Sequence, residues 1–110
     1  MTPQPSDDPG PIFSALADPT RRGFVARLAR GPATVGQLAA PLPISLPAVS
    51  RHVRVLERAG LVTRSRRGRH QVLTLRPEAL DAAQRFLADT YTFWEGTLDR
   101  LADYLEDGDD

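Results

Sequence analysis

Residues 45 to 75, SLPAVSRHVRVLERAGLVTRSRRGRHQVLTL, decide the fold. Ser45 stands just before an apolar-periodic run, where its hydroxyl oxygen can accept one of the amide protons that a helix start leaves unpaired. Within LPAVSRHVRVLERAG, Val49, Val53 and Leu56 recur at spacings of four and three, which lays one narrow buried stripe along a helix and turns its other faces outward. Gly60 closes that helix. Leu61 to Arg66 and His70 to Leu75 follow as two β-prone runs around Arg67-Gly68-Arg69, the pattern of a hairpin with an arginine-rich tip.

On the N-terminal side, Thr34 caps a short helix in TVGQLAAP, where Val35, Leu38 and Ala39 share a face, and Pro41 and Pro43 break the link to Ser45. Asp18 and Pro19 supply an N-cap and a first-turn proline for a helix in PTRRGFVARLAR. Phe24, Val25 and Leu28 lie on one side of it and the arginines on the other, and Gly31-Pro32 ends it. Pro11 to Ala17 places Ile12, Phe13 and Leu16 at helical spacing. Residues 1–10 hold three prolines, a glycine and two aspartates, nothing a core can bury, and read as a disordered arm.

On the C-terminal side, Pro77 opens a helix reaching to about Glu106. Its apolar residues Leu80, Ala83, Leu87, Tyr91, Trp94, Leu98, Leu101 and Leu105 are separated by 3, 4, 4, 3, 4, 3 and 4, a seam of coiled-coil type. Such a helix is about 45 Å long, more than so small a body can cover, so part of the seam calls for another chain. Residues 107–110 read as an acidic tail, and 11–106 as one domain.

The chain has 110 residues with 14 basic and 14 acidic side chains, a net charge of zero that by itself suggests no polyanionic partner. Position reverses that reading. Residues 21–30 carry four arginines, 31–50 no charge, and 51–80 eight arginines against two glutamates, whereas 81–110 carry nine acids against two arginines. A basic middle of this kind points to nucleic acid or an anionic surface. All basic residues are arginine, a usage that fits a GC-rich genome. The absence of cysteine excludes disulfides, thiolate zinc sites and cysteine nucleophiles. No signal peptide is legible in the polar, acidic start, and no apolar run approaches the roughly 20 residues of a membrane span. A soluble, cytoplasmic protein is the expectation.

Short helix, turn, capped helix with one apolar stripe, then an arginine-tipped hairpin: this order matches a helix-turn-helix followed by a wing, mainly α with a small β-hairpin. A helix enters the major groove only if one face packs on its domain while its N-terminal residues and outer face stay free for bases and phosphates. Here the free set is Ser45, Leu46, Pro47, Ser50, Arg51 and Arg54. Arg51 and Arg54, three apart, are neighbours on the helix surface. The two serines are short hydroxyl donors, and Leu46 can meet a thymine methyl. Arg64, Arg66, Arg67 and Arg69 equip the wing for phosphates.

The run SLPAVSRHVRVLERAGLV, preceded by LADPTRRGFVARLARGPATVGQLA and followed by a wing, resembles the ArsR/SmtB family of bacterial winged helix-turn-helix regulators over residues 12 to 105. The motifs L-x-D-P-T-R-R, A-V-S-R-H-V and L-E-R-A-G-L-V carry the likeness. It implies a homodimer built from the first and last helices, here Ile12, Phe13, Leu16, Leu87, Tyr91, Trp94, Leu98 and Leu101. The dimer would bind a double-stranded operator of imperfect two-fold symmetry, most often as a repressor. Metal-sensing members carry a Cys-x-Cys pair that falls here on Thr34 and Gly36, and others use last-helix histidines that this chain lacks; the end of the chain looks like a branch without those sites. No cofactor is identifiable. A nickel or zinc effector held by His70 with partner-chain acids such as Asp103 and Glu106 is an alternative.

Other readings have less support. Ser50 and His52, two apart on a helix, point away from each other and make no nucleophile–base pair, so no enzyme is expected. Tyr91, Phe93 and Trp94 suit an interface core better than a small-molecule pocket. The wing arginines lack the large apolar patch of a membrane-binding surface. A winged helix used only to bind protein would not need arginines on both the helix face and the wing tip.

Overall fold

The computed structural model describes residues 8–107. Its core is built around one helix, α4 (Leu46–Arg58), whose Val49, Val53 and Leu56 have no exposed surface. These are the three positions that the spacing singled out. Ser45 caps α4 as expected: its Oγ accepts from the Ala48 amide at 3.2 Å. The other end is a glycine-closed reversal. Gly60 has φ of +80° and donates to the Glu57 carbonyl, while Leu61 donates back to Leu56 at 3.0 Å. That paired bond pattern needs a left-handed residue, and it drops Leu61, fully buried, against Leu56.

Four elements precede α4: α1 (Gly10–Leu16), α2 (Pro19–Leu28), a two-residue strand β1 (Ala33–Thr34) and α3 (Val35–Ala39). Asp18 caps α2, its Oδ1 accepting from the amides of Thr20 at 2.7 Å and Arg21 at 3.2 Å. Thr34 and Gln37 form a reciprocal capping box on α3 at 3.1 and 2.9 Å. After α4 come β2 (Val62–Arg67) and β3 (His70–Leu75), paired antiparallel from Val62–Leu75 to Arg67–His70. The loop is Gly68-Arg69, with positive φ at Gly68 alone, the pattern of a II′-type turn. A 3-10 turn (Pro77–Leu80) leads into α5 (Asp81–Asp107). The architecture is mainly helical with a small antiparallel sheet, a winged helix-turn-helix.

Several boundaries differ from the sequence reading. Helix α1 starts at Gly10, inside the expected arm, because Pro9 can precede a helix and Asp8 accepts the Gly10 amide at 2.9 Å. The rest of that arm, residues 1–7, lies outside the described residues. Ala17 is the C-cap of α1, and α2 stops two residues before Arg30, where Ala29 turns back. β1 was not anticipated: Ala33 and Thr34 pair with Leu73 and Val72, making the hairpin a sheet of order β1-β3-β2. Two residues leave no periodicity to read. The last helix runs one residue past Glu106, into the expected tail, whose residues 108–110 lie outside the described residues.

Candidate nucleic-acid interface

The arginines of the basic middle fall into two groups by what they touch. Those at the start of α2 are structural. Arg21 donates from Nε to the Ala15 carbonyl at 2.6 Å and from Nη2 to Ser14 at 3.3 Å, and Arg22 donates to the carbonyls of Leu16 at 2.8 Å and Ala17 at 3.2 Å. Together they satisfy the carbonyls that the end of α1 leaves open. The motif L-x-D-P-T-R-R is thus a two-helix corner, with the aspartate capping the helix that begins and the arginines the helix that ends. Arg21 also meets Nδ1 of His52 on α4 at 3.2 Å, and the His52 ring stands edge-on to Phe24. His52, read in sequence as half of an unproductive pair, joins α1, α2 and α4 through this contact.

The second group stands around α4 and the hairpin. Leu46, Pro47, Arg51 and Arg54 are exposed, as are Ser45 and the tip residues Arg66, Arg67 and Arg69, while Ser50 is half-buried. The Ser45 hydroxyl oxygen is committed to the cap, which leaves its O–H free to donate. Ser50 and Arg54 line one cleft with Glu57 and Arg64. Leu46 and Ser50 line a second with Arg64, Arg69 and His70. The N-terminal half of α4 therefore opens onto the same surface as the wing.

Arg64 differs from its neighbours. Its Nη2 bonds Glu57 of α4 at 2.6 Å and its Nη1 bonds Gln71 of β3. It is a strut between α4 and the hairpin, not a free wing cation. Glu57 and Gln71 were missed in sequence because their roles depend on a pairing across three elements. Arg66 donates to the Gly68 carbonyl at 3.2 Å and so braces the turn.

The expected dimer residues separate as well. Ile12 is 5% exposed and packed in the chain's own core, so it has little surface to offer a partner. Phe13 and Leu16 pack against that core but remain half-buried, and Phe13 meets Phe86 of α5 edge-on at 5.7 Å. Leu87, Tyr91, Trp94, Leu98 and Leu101 are 50 to 67% exposed. As for metal, no three histidine or acidic side chains converge among the described residues. His70 lies beside Thr34 and Gly36, whereas Asp103 and Glu106 stand on the last turns of α5. No described helix is long and apolar enough to cross a membrane.

Comparison with known proteins agrees with this geometry. A helix-turn-helix domain model matches residues 16–65. The chain is 44% identical over 103 residues to an HTH-type transcriptional regulator, Rv2034, of Mycobacterium tuberculosis, covering 93% of this chain and 94% of the relative. It is 39% identical over 78 residues to a transcriptional repressor SmtB homolog of Synechocystis, covering 71% and 59% of the two chains. Among solved structures, an ArsR family transcriptional regulator superposes with a TM-score of 0.74 at 41% identity, over 78% of this chain and 94% of the other. Fold, exposed basic helix and wing, and these likenesses converge: the chain belongs to the ArsR/SmtB family of winged helix-turn-helix regulators, DNA-binding proteins of transcription rather than enzymes.

Proposed function

We propose that the chain acts as a homodimeric repressor that occupies an operator of imperfect two-fold symmetry. The observation carrying this reading is the shared surface of α4 and the wing, on which Arg51, Arg54, Arg67 and Arg69 are exposed and the nearby acid, Glu57, is bonded to Arg64. Ser45, Leu46, Pro47, Ser50, Arg51 and Arg54 enter the major groove, where base edges are distinguishable. The wing arginines reach flanking phosphates, with Arg64 acting by holding the wing to α4. Repression is supported by the name of the SmtB homolog.

The dimer forms through α5 with Phe13 and Leu16 of α1. An exposed apolar seam along most of a 27-residue helix is far more than a monomer ordinarily leaves in water, and its three-four spacing suits a second copy of itself. This reading involves no metal effector, so operator affinity should be the same with and without nickel or zinc.

The test is binding to the gene's own upstream region, followed by fluorescence anisotropy at several salt concentrations. Arg51→Ala costs about 1 to 3 kcal/mol and relaxes preference at one base pair. Arg67→Ala weakens binding to all sequences alike and lowers the log-log salt slope by about 0.9. An Arg51→Ala protein with unchanged affinity and preference would remove α4 from the reading role.

A further inference from the structure

Between α2 and α3, lined by residues that take no part in the α4–wing clefts, lies an open groove of about 490 Å³. Its floor is apolar: Phe24 and Leu38 are buried and Leu42 half-buried. Arg27, on α2, and Arg30, two residues past its end, also line it. Arg27 is held there by donating to the Gly31 carbonyl at 3.1 Å, which leaves its other guanidinium hydrogens available. Among the described residues neither arginine forms an ion pair, and no acid occurs in the sequence between Asp18 and Glu57. The other arginines near α2 have carbonyl partners at the end of α1 and Arg64 has its glutamate. These two face an apolar cavity with no counter-charge.

The remaining observation is Gly23. Glycine disfavours a helix interior, and here packing does not require it, since a Cβ at this position would meet nothing within 4 Å. Gly23 lines the groove, so what its missing side chain preserves is the open volume. Size, an apolar floor and two cations without a counter-charge are the attributes of a small-molecule site.

We propose that this groove binds an amphipathic monocarboxylate of the medium-chain fatty acid type. The apolar body lies along Phe24, Leu38 and Leu42, and the carboxylate takes charge-assisted hydrogen bonds from Arg27 and Arg30. The groove is walled by α3, which packs directly on α4, so its occupant sits one helix away from the DNA-reading element.

The test is isothermal titration of the full chain, without DNA, using octanoate and octanol as probes; its outcome is therefore independent of the DNA-binding reading. Octanoate binds at least about tenfold more tightly than octanol, a preference of the size that charge-assisted bonds confer. The double change Arg27→Ala and Arg30→Ala removes the preference. Gly23→Leu, which fills the groove while improving helix propensity, abolishes octanoate binding with no fall in melting temperature. Failure of octanoate to bind the wild type, equal affinity for the two probes, or undiminished binding to the folded Gly23→Leu protein each overturns the proposal. A lowered salt slope for operator binding in the double variant, without octanoate binding to the wild type, would reassign the two arginines to phosphate contacts.

Discussion

Asp18 shows how much a single side chain organises in this chain. Its partial desolvation raises its pKa, but hydrogen bonds from the Arg21 and Thr20 amides, with the charges of His52 and Arg21 nearby, outweigh that and bring the carboxyl below its usual range. A carboxyl with a lower pKa in the folded than in the unfolded chain stabilises the fold above its unfolded pKa, about 3.9. That stability is lost as pH falls through the folded value. Asp18→Asn keeps a capping oxygen and removes the charge, so its melting temperature should show a shallower decline below pH 4 than the wild type. Asp18→Ala should be less stable at neutral pH as well. Thermal melts of the three proteins between pH 2 and 7 check both statements. The aspartate and its proline were legible as a helix start, because capping is a local property. The partners of Arg21 and Arg22 were not, because they lie on the preceding helix and are reached only after the chain has turned.

At the scale of elements, the reading helix and wing are joined in two ways: by the reversal at Gly60 and by the Arg64 bridge to Glu57 and Gln71. Gly60→Ala places a Cβ on a left-handed residue, a strain of about 1 to 2 kcal/mol, although the added methyl meets no neighbour. Chemical denaturation should show that loss with an unchanged m-value. Glu57→Ala should leave the fold intact and remove the α4 anchor of Arg64, loosening the wing. The expected outcome is weaker operator binding of every sequence, where a base-contacting residue would change preference. The stripe Val49, Val53 and Leu56 was readable because burial repeats with the helical period. The bridge has no period, and β1 has only two residues, so neither leaves a pattern along the chain.

The molecule as a whole is extended, 74 Å in its longest dimension, with α5 carrying a seam that its own body does not cover. Leu98→Glu places a charge in the middle of that seam and should yield a folded monomer by sedimentation. Losing the second half-site contact, it should bind the operator orders of magnitude more weakly. A dimeric, fully active Leu98→Glu protein would show that the seam is not the interface. Charge is partitioned between the elements. Helix α4 and the hairpin carry seven arginines, at 51, 54, 58, 64, 66, 67 and 69, against one acid, Glu57, whereas α5 carries seven acids, at 81, 89, 95, 99, 103, 106 and 107, against two arginines, at 85 and 100.

Read without a structure, this chain already specifies the capped starts of α2, α3 and α4, the buried stripe of α4, the arginine-tipped hairpin and the α5 seam. Each is a local or periodic feature, set by capping chemistry and by the repeat of a helix or strand. What waited for the tertiary structure was the allocation of identical side chains. Fourteen arginines look alike in sequence, yet packing commits Arg21 and Arg22 to the carbonyls of α1, ties Arg64 to Glu57 and leaves Arg51, Arg54, Arg67 and Arg69 exposed. Ile12 and Phe13 are adjacent on one short helix, and only the placement of α1 on the core buries the first and leaves the second half-exposed. A long cation can satisfy a carbonyl, an acid or an outside phosphate equally well, so its role is fixed by whichever acceptor the folded backbone brings within reach.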